Sequence, residues 1–210
     1  DTGQPGKAAN QLAEFEFECG RLLLTEAGTK RRASLHLLRG GAALEAHDPG
    51  GVEPLCCSVS EFGAALRQAS HTLKRALTDP AILSGIGNAY SDEILHRARL
   101  SPLQLTTNLA DDQIQQLHKA MQEVLSAWRA RLIAESKAEF PKKVTAFRPE
   151  FAVHGKFDAP CPDCGAPVQR IVYAENECNY CARCQTGGRL LADRALSRLL
   201  KASWPKTLDG

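Results

Sequence analysis

The chain has 210 residues, 43% of them hydrophobic and 24% charged, with a net charge of +2. That is enough for one large domain or two small ones with a real core, and no apolar run approaches the ~20 residues of a membrane span. Residues 1–127 carry an excess of acid and residues 128–210 an excess of base, a mild pointer to a polyanionic partner for the C-terminal half.

The opening "DTGQPGKAAN" lacks the apolar centre of a secretory signal and does not begin with Met, which fits a fragment or a processed form. Residues 15–38 read as strands. "FEFECGRLLLTEAG" alternates apolar and charged residues, turns at Cys19-Gly20 and runs on as an apolar strand, and "TKRRASLHLL" ends in the same alternation. So short a set cannot close a sheet, so it reads as the last part of a larger β unit. "HDPGGVEP" at 47–54 is a linker.

Helix signals follow. Ser58 and Glu61 form a capping box. Phe62, Leu66, Ala69, Leu73 and Leu77 then predict one helix that ends at Asp79-Pro80. "GIGN" at 85–88 precedes a helix to about Arg99. A third helix covers roughly 111–137, with Ile114, Leu117, Met121, Leu125, Trp128 and Leu132 as its buried stripe. Residues 140–156 are a basic, Pro-bearing connector. The chain closes on a short amphipathic helix and a tail.

Two motifs carry chemistry. Eight cysteines without a secretory signal fit a metal site in a reducing cytoplasm better than a disulfide framework. Five lie within residues 161–184. Cys161-x2-Cys164 and Cys181-x2-Cys184 are paired turns at the ends of a hairpin, a pattern that suits one tetrahedral structural Zn²⁺. An iron–sulfur cluster using Cys178, Cys181 and Cys184 is the alternative. Four thiolates leave no open position, so the metal is a scaffold. The second motif, Gly85-Ile86-Gly87-Asn88, turns into a helix start and exposes backbone N–H groups, which suits a phosphate. Asn88 offers a side-chain amide to the same anion, and Lys74 on the preceding helix offers charge.

"LKRALTDPAILSGIGNAYSDEILHRARLSPLQ" closely resembles the helix–two-turn–helix element of the formamidopyrimidine-DNA glycosylase / endonuclease VIII family. "VHGKFDAPCPDCGAPVQRIVYAENECNYCARCQ" resembles that family's closing zinc finger. The two stand in the family's order and spacing. The resemblance implies an α+β chain with these parts: 1–46, the last strands of an N-terminal β-sandwich; 47–57, a linker; 58–139, the helix–two-turn–helix domain; 140–155, a connector; 156–188, the zinc-bound β-hairpin finger; and 189–210, a C-terminal helix and tail.

It further implies a cytoplasmic, monomeric base-excision-repair DNA glycosylase/AP lyase acting on damaged double-stranded DNA. In such enzymes an N-terminal Pro amine attacks C1′ of a flipped, oxidised nucleotide, with the neighbouring Glu as acid/base. This sequence opens Asp1-Thr2, so no residue here matches that nucleophile. The expected contacts are Asn88 and Lys74 to the phosphate near the lesion, Lys30 and Arg31 in the gap-filling loop with Arg32 where an aromatic wedge often stands, and Asn176 where the finger often carries an Arg. Cys161, Cys164, Cys181 and Cys184 match the zinc ligands, and Cys178 is spare. The alternatives are a non-catalytic module that binds damaged DNA and a zinc-ribbon protein that binds RNA.

Overall fold

The computed structural model describes residues 10–26, 32–137, 148–173, 176–192, 198–203 and 205–208. The chain divides into two compact units, 1–47 and 48–210. In the first, strands β1 (Gln11–Phe17) and β2 (Gly20–Thr25) form an antiparallel hairpin in which Phe15 faces Leu22. The turn falls at Glu18-Cys19, one residue before the expected Cys19-Gly20, because Gly20 already pairs with Phe17 as the first residue of β2.

Residues 32–38 are not a strand. A strand exists only with a partner, and among the described residues this stretch has no strand paired to it. Arg32 and Ala33 instead donate their N–H groups to the Glu26 carboxylate at 2.6 and 3.0 Å, and Leu35 and Leu37 are exposed. A short helix, α1 (Gly41–Glu45), follows that the sequence did not announce.

In the second unit, helix α2 (Val59–Arg67) begins with the predicted capping box. The Ser58 hydroxyl accepts from Glu61 N–H, and the Glu61 carboxylate accepts from Ser58 N–H. The expected single helix is two, because the chain leaves α2 at Gln68 and re-enters at Thr72, the N-cap of α3 (Leu73–Thr78). The break frees backbone groups for residues 102–106: Leu73 N–H donates to Gln104 O at 2.8 Å, Lys74 N–H to Pro102 O at 3.0 Å, and Thr106 N–H to His71 O at 2.8 Å.

Helix α4 (Asn88–Arg97) and helix α5 (Asp111–Ser136) complete the helical layer. Phe62, Leu66, Leu73, Leu77, Ile94 and Leu95 bury against Ile114, Leu117 and Met121 of α5. Further along α5 the stripe is half-buried, and Trp128 packs at 4.6 Å from Phe151. The Gly-Pro segment is tied down from Gly51 onward. Val52 N–H donates to Ile82 O and Ser84 N–H to Val52 O, both at 3.0 Å.

The C-terminal hairpin pairs β3 (Val168–Tyr173) with β4 (Asn176–Cys181) and runs into α6 (Ala182–Thr186). Of the expected terminal helix, residues 193–197 lie outside the described residues. Residues 198–200 are helical and pass into a 3-10 turn, Lys201–Ser203. No described helix is long and apolar enough to cross a membrane.

Helix α4 joins the hairpin to the helices through two buried acids. Glu93 accepts the N–H groups of Ala152, Val153 and His154 at 2.8–2.9 Å. Asp92, 0% exposed, takes Lys74 Nζ on one oxygen at 2.6 Å, and His154 Nδ1 at 2.8 Å and Asn179 N–H at 3.1 Å on the other. Asp92→Ala should therefore cost about 3–5 kcal/mol, because it strands a buried ammonium; a urea titration against the parent chain measures it. Gly51→Ala should cost about 1–3 kcal/mol, because the added methyl meets the Pro80 carbonyl and overpacks a closed contact. The same titration, followed by a helix signal, reads that loss.

Candidate nucleic-acid interface and metal centre

The turn before α4 is built to leave its amides free. Gly85 sits at φ +72°, in the left-handed region where a side chain is strained. Gly87 is the N-cap and has no side chain to cap with. Among the described residues, no backbone N–H from Gly85 to Tyr90 has an acceptor. Those groups stand at the positive end of a ten-residue helix, an arrangement that favours an anion. A Cβ at Gly87 would meet nothing within 4 Å, so the approach is open.

The predicted contact residues divide. Asn88, half-buried, heads α4, and its side-chain amide donates to Glu177 O of the hairpin at 3.0 Å. An amide carries two N–H groups, so the second remains for a ligand. Lys74 does not stand as expected. It is 5% exposed, and Nζ donates to Asn88 O, Ser91 Oγ and Asp92 Oδ1 at 2.7, 2.7 and 2.6 Å. An ammonium has three donors and all three are used inside the protein. Lys74 therefore holds the turn from behind with its donors turned inward, where the sequence reading has it facing a phosphate. Asn176 opens β4, exposed, opposite Tyr173. Lys30 and Arg31 lie outside the described residues.

What the sequence reading missed is one stripe of α4. Asn88, Asp92 and His96 are four apart and share a face. Asn88 meets Glu177, Asp92 meets Asn179 and His154, and His96 Nε2 lies 3.3 Å from Cys161 Sγ. Polar residues at i, i+4 and i+8 of one helix were the available signal. Burial lowers the His96 pKa, with Asp163 and Glu93 opposing, so the ring favours its neutral form.

The sulfurs of Cys161, Cys164, Cys181 and Cys184 all lie within 4.8 Å of one another. Cys161–Cys184 is 3.9 Å and Cys164–Cys181 is 3.4 Å. A tetrahedron with metal–sulfur bonds of ~2.3 Å has edges of about 3.8 Å, so the donor set fits a divalent ion. Gly165, at φ +73°, turns the chain away, and its N–H returns to Cys161 O at 2.8 Å. Burial and the crowding of Cys164 and Cys161 push the Cys181 thiol up to about 11, and burial with Cys164 and Cys181 pushes Cys184 further. A cation would reverse that pressure. Cys178 stands apart from the four. It is buried on β4, and burial together with Asp92 raises its pKa well above that of an ordinary thiol.

The sequence model of the formamidopyrimidine-DNA glycosylase H2TH domain matches residues 51–132. A formamidopyrimidine-DNA glycosylase-like protein from Mycobacterium tuberculosis is 39% identical over 151 residues, 72% of this chain and 94% of that one. The formamidopyrimidine-DNA glycosylase of Thermus thermophilus is 34% identical over 66% of this chain and 54% of its own length; the chain spans about half the length of the relatives that carry that full name. Among solved structures, the Thermus thermophilus protein aligns with a TM-score of 0.61 at 25% identity, over 86% of this chain and 70% of that one. The Lactococcus lactis protein in complex with abasic-site DNA aligns with a TM-score of 0.58 at 28% identity, over 68% and 53%. A relative matched almost end to end, and an H2TH match that takes in the whole turn before α4, establish that the chain belongs to the formamidopyrimidine-DNA glycosylase / endonuclease VIII family.

Proposed function

We propose that this chain is the DNA-gripping portion of a base-excision-repair glycosylase/AP lyase that removes oxidised bases from duplex DNA. The observation that carries this reading is the set of unpartnered N–H groups from Gly85 to Tyr90, braced from behind by Lys74 and from the side by the finger. A phosphate seated there accepts from those amides and from the second N–H of Asn88. Asn176, at the exposed start of β4, offers a neutral donor to the backbone further along, and Lys30 and Arg31 are the proposed gap-filling residues. One Zn²⁺ on Cys161, Cys164, Cys181 and Cys184 holds the hairpin against α4 and takes no part in chemistry. Cysteine usage supports a reducing, cytoplasmic setting, and family resemblance supports a monomer.

One observation favours a second reading, a non-catalytic module for damaged DNA. The Mycobacterium tuberculosis relative is covered over 94% of its length by 151 residues of this chain, so it too consists almost wholly of this region. Sequencing upstream of Asp1 separates the two: an in-frame start reading Met-Pro-Glu supports the enzyme, and a nearby stop codon the module. Borohydride trapping on an abasic duplex should give no covalent adduct with the present chain, and an adduct would mean that the nucleophile lies within it.

Fluorescence anisotropy on an abasic duplex tests the phosphate site. Asn88→Ala should weaken binding about two- to tenfold, the worth of one hydrogen bond of ~0.5–1.5 kcal/mol, and Gly87→Ala should weaken it as well, because its methyl stands on the open approach to the amides. The loss should be equal on every sequence, because phosphate contacts carry no base information. Gly87 has φ −95° and free space around it, so alanine there leaves the fold intact. Unchanged affinity in both variants would sink the assignment. Metal analysis should find one zinc per chain, retained in Cys178→Ser and lost in Cys181→Ser.

A further inference from the structure

We infer that the metal centre has a fifth donor, His96, placed to complete a set of three thiolates and one imidazole when the sulfur of Cys161 is lost. The inference rests on the reading of the four cysteines as a metal site.

His96 is 4% exposed. A buried imidazole needs a hydrogen-bond partner, and among the described residues the only one its ring finds is Cys161 Sγ, 3.3 Å from Nε2. The ring nitrogen, an Asp163 oxygen and the Cys184 sulfur also lie within 4.8 Å of one another. The imidazole therefore stands just outside the Cys161–Cys184 edge of the sulfur tetrahedron, whose length is 3.9 Å. Cys164 and Cys181 form the opposite edge, at 3.4 Å. The second donor group shares Cys184 with the first, so the two belong to one centre.

With four thiolates on the ion, His96 carries its proton on Nε2 and donates it to the Cys161 sulfur. With that sulfur gone, one corner opens directly before the ring. The neutral imidazole then changes tautomer, giving up the Nε2 proton to water and taking one from water at Nδ1, and presents the Nε2 lone pair to the ion. The ring's net charge is unchanged and no electron is transferred. Structural Zn²⁺ sites are built from three cysteines and a histidine as well as from four cysteines. Helix α4 holds the ring within reach, because Asp92, one turn earlier on the same face, is fixed to the finger by Asn179 and His154. The substitution is specific to one corner. His96 lies beside Cys161 and within reach of Cys184, while Cys164 and Cys181 form the other edge of the set, so the ring is placed to replace Cys161 and not Cys164.

The test uses the whole chain loaded with Zn²⁺ or Co²⁺ and challenged with a competing chelator. The parent should hold one metal per chain. Cys161→Ala should also hold one, with weaker thiolate-to-cobalt charge-transfer absorption and a tetrahedral ligand-field spectrum. Cys164→Ala should release its metal to the same chelator concentration, and so should the double variant Cys161→Ala, His96→Phe. The inference is overturned if Cys161→Ala releases metal as readily as Cys164→Ala, a comparison that leaves His96 untouched. It is overturned equally if the double variant retains metal as well as Cys161→Ala does. A parent chain that binds no metal would instead overturn the metal-site reading itself, and this inference with it.

Discussion

The buried carboxylate of Asp92 is the constraint around which the second unit is arranged. A charge at 0% exposure is costly unless partners surround it, and here both oxygens are taken: one by Lys74, the other by His154 and Asn179. Those partners come from α3, from the segment after α5 and from β4. An apolar contact between the same elements would tolerate sliding. A carboxylate with three directional donors does not, so it sets the register of the finger on α4. Asn88 one turn before it and His96 one turn after then meet the residues they do, Glu177 and Cys161. The free amides of the turn and the four sulfurs are thus the two ends of a single positioned helix.

Features fixed by near neighbours could be read from the sequence. The Ser58–Glu61 box, the 26-residue α5 and the paired cysteine turns all depend on residues a few positions apart, and all stand where expected. Features that need a distant partner could not. Residues 32–38 have strand chemistry but, among the described residues, no strand beside them. The helix expected through Leu77 breaks at Gln68 because the backbone near Thr72 pairs with residues 102–106, while Leu66, Leu73 and Leu77 keep their spacing across the break. Asp92 finds Lys74 at a separation of 18 residues and Asn179 at 87, far beyond any local pattern. Lys74 departs from expectation for the same reason. A lysine near a glycine turn looks outward until its acid is known.

The hairpin itself needs more than its apolar contacts. Cys161 and Cys181 are buried in a small cluster with Val153, Ala166 and Val168, and Ile171, Tyr180, Ala182 and Leu191 form a second; two such small clusters are little apolar surface to hold a hairpin in place unaided. Crowded thiols with pKa values pushed upward by burial, as at Cys181 and Cys184, are unfavourable as bare anions, and a divalent ion removes both difficulties at once. Cys178, though only three residues from Cys181, lies away from the four and beside Asp92. Strand geometry explains this: successive side chains alternate faces, so Cys178 and Cys181 point to opposite sides of β4. Spacing along the chain alone left an alternative ligand set open, and the pleat closes it.

The position of Lys74 changes how charge reaches the proposed phosphate site. Its ammonium touches the carbonyl of Asn88 at the start of α4, while its counter-ion, Asp92, sits a turn deeper. The pair is neutral overall, but it is oriented, with its positive end toward the turn. That dipole runs in the same sense as the helix dipole of α4, and it acts through a protein interior where fields are less screened than in water. A surface lysine would attract a phosphate by direct contact and would release bound counter-ions on binding. A buried one strengthens the pull of neutral N–H groups without becoming a contact. The proposed grip on a phosphate then depends on geometry that the core holds fixed, through Lys74, Asp92 and the start of α4.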